Sequence, residues 1–179
     1  MRIVRIIDNT DLLYTLFNED EQTTEYDFLL EQWTDQVYLN AFFEANKLDL
    51  SYFSIRSVEA AVQQTLSEAE EVDNWLIHIA ENEPDDLQRF FKPLSDSEYR
   101  FGLISRNKGY GIAKKSWLRI YAIGVGLKFI ITGGAIKLTQ TMQEREHTRE
   151  QLKKLNSVKD YLKAEGIGED NLSELEIDL

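Results

Sequence analysis

The sequence predicts an α+β fold in which a small antiparallel β-sheet packs against helices. In the first half of the chain, apolar residues recur at spacings of three and four, as they do on one face of an α-helix. After Pro93 the spacing changes to the two-residue alternation of β-strands. Two such runs flank a turn region that contains Gly124 and Gly126, which favours a β-hairpin.

The length of 179 residues suits a single domain that spans residues 1–179, and 42% apolar residues are enough for one core. Within this domain we expect residues 1–83 to form a strand or hairpin followed by acidic helices. Residues 84–179 are expected to form the basic core of the sheet and a C-terminal helix.

The N-terminal elements follow from local signals. MRIVRIID and LLYTLF are short runs of β type, and the turn-forming residues between them predict a hairpin. A helical pattern begins at Glu25, and Asp35 is a suitable cap for a second helix. The longest helix is predicted from Ser57 to about Glu81, and Pro84 suits the first turn of a short helix after it.

The C-terminal half begins with strands. SWLRIYAI alternates as a strand does, and KFIITGGAIKL supplies an antiparallel partner in which Gly133 and Gly134 predict a bulge or a close approach. EYRFGLI is expected to add a third strand, with SRNKGYGIAKK as a flexible basic loop. A last helix is expected to start at Thr148 and to stop at Gly166, followed by a short docking helix in the tail.

Charge is distributed unevenly along the chain, whose net charge is −12. Residues 1–88 contain 4 basic and 20 acidic side chains, residues 89–137 contain 10 and 2, and residues 138–179 contain 6 and 10. The overall charge argues against a general nucleic-acid coat protein, because phosphate repels an acidic surface. The central cationic segment is where we expect a site for an anion, although its charges also suit solvation and internal pairing.

Composition excludes several classes of protein. The chain has no cysteine, which rules out disulfide scaffolds, cysteine nucleophiles and thiolate zinc sites. Its only histidines, His78 and His147, cannot form a histidine-rich metal cage, and we expect neither a metal nor an organic cofactor. The N-terminus lacks the features of a signal peptide, and the apolar runs are shorter than the roughly 20 residues that span a bilayer. We therefore expect a cytoplasmic protein that does not enter a membrane.

The candidate site combines cations and aromatic rings. Arg119 lies between Trp117 and Tyr121 on one face of the predicted strand, and Lys137 lies at the far end of its partner. Arg119 is expected opposite residues 131–133, with its guanidinium toward the glycine pair. The segment before this strand supplies further candidates for RNA binding, namely Arg106, Lys108, Tyr110, Lys114 and Lys115.

This combination suits single-stranded RNA on a half-open sheet, because cations hold phosphate and rings stack on bases. Fixed cations also stabilise the charge that develops when a ribose 2′-hydroxyl attacks phosphate. The structural alternative stays open: Arg119 snorkels or pairs with an acid of the N-terminal half, Trp117 and Tyr121 belong to the core, and the lysines are solvated. His147 is a weaker candidate for a general acid or base.

The stretch from FFKPL to KLTQTM resembles the RelE/HigB-like toxin family of bacterial type II toxin-antitoxin modules. The features behind this resemblance are a helix ending in KPL, a basic loop, an arginine before an aromatic residue in LRIYAI, and a lysine after the apolar strand in GAIKLTQT. With the helix that follows, the resemblance covers about residues 84–163.

The resemblance implies a RelE-like core with a helical N-terminal extension, and a toxin that binds RNA and cleaves mRNA on the ribosome without a metal. It also implies a cognate antitoxin as partner, and a homo-oligomer is compatible with it. Arg119 is similar to the phosphate-binding arginine, Lys114 or Lys115 to the basic residues before it, and Lys137 to the cation after the last strand. The predicted catalytic residues are therefore Arg119, Lys137 and Lys115. The alternative function is a non-catalytic protein-interaction domain that uses the same basic and aromatic face.

Overall fold

One β-sheet runs through the molecule, and its strands come from both halves of the chain. The structure is a computed structural model that describes residues 2–95, 104–113, 115–139 and 145–172, with the backbone of residues 175–176. The strands are β1 (Arg2–Arg5), β2 (Leu13–Asn18), β3 (Thr23–Thr24), β4 (Lys92–Pro93), β5 (Ile104–Tyr110), β6 (Leu118–Val125), β7 (Lys128–Ile136) and β8 (Leu175–Glu176).

Helices precede and follow the central strands. The described α-helices are α1 (Glu25–Thr34), α2 (Gln36–Ala45), α3 (Val58–Asn82), α4 (Pro84–Phe90) and α5 (Glu146–Ala164). A 3-10 helix, Lys47–Phe53, lies between α2 and α3, and another covers Glu169–Asn171. None of the helices in the described part of the chain has the length and apolar character needed to cross a membrane.

The strands follow the order β4-β5-β6-β7-β2-β1-β8, and β3 pairs with β2. Every described pair is antiparallel except β2 with β7, which is parallel. The predicted fold class, an α+β protein with a mostly antiparallel sheet packed with helices, is confirmed. The N-terminal hairpin β1–β2 belongs to the same sheet as the central strands, because its strand β2 pairs with β7.

Local signals located most helix ends correctly. The side chain of Asp35 accepts hydrogen bonds from the amides of Val37 and Tyr38, and Ser57 accepts one from Ala60 at 3.1 Å. The last helix begins at Glu146, before the predicted cap. The predicted docking helix of the tail is wrong for residues 175–176, which pair with β1 as a strand. Residues 173–174 and 177–179 lie outside the described part.

The hairpin β6–β7 forms as predicted, but its register differs. Gly126, whose φ is 61°, and Leu127 form a two-residue turn. The predicted bulge is present next to Tyr121, where the pairing shifts by one residue. Because the turn is tight and the bulge adds a residue to β7, Arg119 lies opposite Ala135 rather than residues 131–133.

Residues 105–110 were expected in a flexible loop, and this prediction is wrong because they form most of β5. The strand pairs with β6 from Ile104 opposite Val125 to Tyr110 opposite Arg119. The strand was not recognised because a polar residue, Asn107, takes a buried position in it. The side-chain amide of Asn107 donates hydrogen bonds to Ser105. The rest of the predicted strand EYRFGLI, residues 98–103, lies outside the described part of the chain.

Helices cover both faces of the central strands, which corrects the expectation of a half-open sheet. One face packs against α1 to α4 through a core that includes Leu118, Ile120 and Ala122 of β6. The other face packs against α5, and this core includes Tyr121, Ile123, Val125, Leu155, Val158 and Leu162. Open surface for a ligand is therefore found at the ends of the strands.

We predict that Gly134→Ala destabilises the protein by about 1–3 kcal/mol, the usual range for overpacking a filled core. A Cβ at this position would lie 2.5 Å from the carbonyl oxygen of Arg119 and 2.6 Å from Leu29 of α1. Gly168→Ala is the matched control, because its Cβ would meet nothing nearer than 3.8 Å. Urea unfolding of both variants measures the difference, and equal stabilities would contradict the close approach of α1 to the sheet.

We also predict that acid weakens the contacts that Asp11 makes with Lys128 and Tyr14. The hydrogen bond from Lys128, at 2.7 Å, and that from Tyr14 hold the pKa of Asp11 below its usual value of 3.8. A lowered folded-state pKa stabilises the fold above the unfolded pKa, and this contribution is lost as the pH falls through the folded value. The stability difference between the wild type and Asp11→Asn should therefore shrink below about pH 4. Urea unfolding along a pH series measures it, and a difference independent of pH would contradict the assignment.

Candidate functional site

A cleft of about 800 Å³ opens where the C-terminal end of β5, the start of β6 and the residues after β7 meet the 3-10 helix Lys47–Phe53. Tyr110, Lys115, Arg119 and Lys137 line it from the side of the sheet. These four residues were all predicted for the site, and three of them were the predicted catalytic residues. The fold therefore brings together cations that are up to 22 positions apart in the sequence.

Arg119 is the most firmly held cation of the cleft. Its Nη1 donates to the backbone carbonyls of Ser116, at 2.9 Å, and Leu118, at 2.7 Å. Its guanidinium carbon lies 4.1 Å from the centre of the Tyr110 ring, within the range of a cation–π contact. Burial lowers the pKa of Arg119, although Tyr110, Tyr121 and Glu68 oppose this shift. In the described part of the chain, no carboxylate forms an ion pair with this guanidinium.

The two lysines are positioned by the backbone around Arg119. The hairpin loop is closed by hydrogen bonds from Gly111 to Leu118 and from Ser116 to Ala113, and Lys115 is exposed within this loop. The amide of Lys137 donates to the carbonyl of Trp117 at 2.8 Å, which continues the pairing of β6 and β7. Lys114 lies outside the described residues, so its predicted role is not placed.

Trp117 and Tyr121 must be withdrawn from the RNA-binding set. Their exposed fractions are 0% and 1%, and a buried ring cannot stack on a base. The indole of Trp117 donates to Thr65 of α3 at 3.0 Å, and Tyr121 lies beneath α5. Burial raises the pKa of Tyr121 to about 12. The structural alternative for these two rings is therefore correct, whereas no acid among the described residues pairs with Arg119.

Arg106 and Lys108 share the sheet face of Arg119 but do not line the cleft. Strand pairing places them opposite Ile123 and Tyr121. Arg106 donates to the side chain of Asn156 on α5 at 2.7 Å, and the ammonium of Lys108 lies 5.8 Å from the Tyr110 ring. Arg119 and Lys115 therefore line the cleft, whereas Arg106 and Lys108 lie further along β5.

The sequence analysis did not predict the cleft residues that come from the 3-10 helix. These are Leu48, Asp49, Ser51, Tyr52 and Phe53. The carboxylate of Asp49 is offset by Arg145, whose Nη2 lies 2.5 Å from it. The available signal was the pair of aromatic residues in the short segment LSYF between two helices.

Two further titratable side chains lie near the cleft. Glu68 of α3 is 4% exposed; its Oε1 accepts a hydrogen bond from Gln64, and its Oε2 has no partner among the described residues. A Cβ on Gly111 would lie 2.6 Å from this Oε2, which places the carboxylate against the loop that carries Lys115. His147 contacts the carbonyl of Ile136 at 3.0 Å and packs edge-on against Phe42, so its role here is structural.

A smaller cleft of about 360 Å³ lies on the other side of Tyr110. Apolar side chains of Trp75, Phe90 and Ile112 form much of its lining, and Arg89 and Lys92 add positive charge. Tyr110 and Ile112 are exposed, as is Trp75, so this cleft is an accessible apolar surface. Tyr110 is part of both clefts.

Fold and site together define an α+β protein with a cationic cleft beside an aromatic rim. Comparison with family models, with curated proteins and with solved structures finds no match to this chain. The resemblance to RelE/HigB-like toxins accordingly stays a prediction. Within the described ranges, no three histidine or acidic side chains are grouped so that they could hold a metal ion.

We predict that Trp117→Ala and Arg119→Ala differ sharply in stability. Truncating a buried tryptophan should lower the free energy of unfolding by about 3–5 kcal/mol. Arg119→Ala should cost less, about 1–2 kcal/mol, because it removes two part-buried hydrogen bonds to carbonyls and a cation–π contact but leaves no cavity in the core. Thermal and urea unfolding measure both values. An unfolded Arg119→Ala variant would show that the arginine is a structural residue.

Proposed function

We propose that the cleft binds single-stranded RNA and that the protein is the toxin component of a type II toxin-antitoxin module. The observation that carries this proposal is the convergence of Arg119, Lys115 and Lys137 on one cleft in a chain whose net charge is −12. A localised cationic site on an acidic protein selects an anionic ligand that enters the cleft, rather than coating the whole surface. The cognate antitoxin and the ribosome are the partners that this function requires.

Arg119 is suited to hold a phosphate. Its hydrogen bonds to the two carbonyls use Nη1, and within the described chain Nε and Nη2 have no other partner. A guanidinium has five N–H donors in a fixed plane, so the remaining donors match two oxygens of a phosphodiester. Partial burial strengthens such a contact, because less water competes for the charge.

The same arrangement supports metal-independent cleavage of RNA. In this reaction the 2′-hydroxyl gives its proton to water and bonds to phosphorus. The bond from phosphorus to the 5′-oxygen then breaks, and this oxygen takes up a proton. Charge builds on the phosphate oxygens in the transition state, where Arg119, Lys115 and Lys137 would stabilise it. The guanidinium of Arg119 is held before the ligand arrives, which is the condition under which electrostatic stabilisation is largest.

A second candidate is a non-catalytic protein-interaction domain, and the smaller apolar cleft favours it. Its apolar residues Trp75, Phe90 and Ile112 are flanked by Arg89 and Lys92 on an otherwise acidic molecule. Charge complementarity selects an acidic protein segment with an apolar side chain as the ligand. This candidate predicts protein binding that survives Arg119→Ala and is lost on Trp75→Ala.

The proposed function is tested by inducing the protein in cells while growth and mRNA integrity are followed together. The wild type should arrest growth and shorten transcripts, and Arg119→Ala should lower the cleavage rate about 10²- to 10³-fold, as loss of one donor to a developing oxyanion does. Lys153→Ala is the matched control, because this lysine is exposed on α5 outside the cleft. Full activity of the Arg119→Ala variant would refute the proposal.

Binding to purified single-stranded RNA gives a second readout. Three phosphate contacts predict a slope of about −2 for log K against log salt, since each contact to a single strand contributes about −0.7. Lys115→Ala should reduce the magnitude of this slope by about 0.7. A slope near zero would show that the cleft does not hold phosphates.

A further inference from the structure

Tyr52 is an exposed aromatic ring on the rim of the cationic cleft. It is 68% exposed. Phe53 supports it edge-on with ring centres 5.1 Å apart, and Phe53 packs in the same way against buried Trp117 at 5.2 Å. Tyr52 is thus braced by Phe53, which Trp117 supports in turn, and most of its own ring stays open to a ligand.

We infer that Tyr52 stacks on an unpaired base of the ligand whose phosphate is held by Arg119. This inference rests on the proposed function and deepens it, because it defines the substrate as a single strand and adds a subsite from the N-terminal half of the chain. Ring, guanidinium and both lysines line the same cleft, so a nucleotide bound there meets both cations and an exposed aromatic ring. Bases within a duplex are already stacked and paired, and they cannot offer a face to this ring.

The charge and the polarity of the 3-10 helix around Tyr52 agree with a role in stacking on a base. The 3-10 helix contributes one acidic side chain to the lining, Asp49, and Arg145 offsets its charge. Leu48, on the same helix, is 87% exposed and also lines the cleft. Phe28 of α1 is also an exposed ring, at 40%, but it lines neither cleft, which makes Phe28 the matched control for Tyr52.

The experiment measures the binding of labelled oligonucleotides by fluorescence anisotropy. The ligands are a single-stranded RNA, the same strand with abasic positions, and the corresponding RNA duplex. Tyr52→Ala should weaken binding of the intact strand about 5- to 100-fold, the range expected for loss of one base–aromatic stack. Tyr52→Phe keeps the ring and should bind as the wild type does, and so should Phe28→Ala. The wild type should prefer the single strand to the duplex.

The abasic strand separates this inference from the proposed function. Wild type and Tyr52→Ala should bind the abasic strand equally, because the ring then has no base to contact. Equal affinity of both proteins for the intact strand would overturn the inference while leaving the phosphate site in place. An equal loss by Tyr52→Ala on both strands would also overturn it, since it would indicate a structural role. Failure of the wild type to bind any of the three ligands would overturn the proposed function itself.

Discussion

The hydrogen bond from the buried indole of Trp117 to Thr65 determines where the cleft lies. It attaches the start of β6 to α3, and the same ring packs edge-on against Phe43 of α2 and Phe53 of the 3-10 helix. The sheet side and the 3-10 helix side of the cleft are therefore both held in place by Trp117. Arg119 follows two residues later in β6, so its backbone position depends on this anchor. In the sequence, Trp117 stands two residues before Arg119, which suggests a ligand contact, but its ring is buried and supports the cleft from within the core.

Electrostatics then gives the cleft its chemical character. The chain carries 32 acidic and 20 basic side chains, and many of the basic ones form ion pairs or hydrogen bonds with acids elsewhere, as Lys128 does with Asp11 and Lys154 with Glu25. Arg119 is held instead by neutral carbonyls and an aromatic ring. These contacts orient the guanidinium without neutralising it, so its charge stays available at a partly buried position. The acidic side chains elsewhere in the molecule repel anions, so the proposed anion site is set apart from most of the surface.

Local rules were sufficient for most elements, because caps, turns and apolar spacing act over a few residues. Asp35, Ser57 and Gly126 each place an element boundary through contacts within four positions. The errors at the candidate site concern which side chains of a strand are covered by a helix. Alternation in SWLRIYAI cannot say whether α5 covers Tyr121, and that contact joins residues more than 30 positions apart. The cleft was predictable from its charged residues, since Arg119, Lys115 and Lys137 were all chosen. Tyr52 was not, because its position on the rim depends on the packing of Phe53 against Trp117.

Tyr110 couples the two clefts. One side of this residue contributes to the cationic cleft, where its ring supports the guanidinium of Arg119, and it also lines the apolar cleft with Trp75 and Phe90. A ligand in the apolar cleft that moves this ring removes the surface on which Arg119 rests, and its binding then changes the affinity of the other cleft. Linkage makes the effect reciprocal: a ligand that fixes Arg119 against the ring changes the affinity of the apolar cleft by the same factor. The two proposed binding activities would therefore not be independent of each other, because both clefts include the side chain of Tyr110.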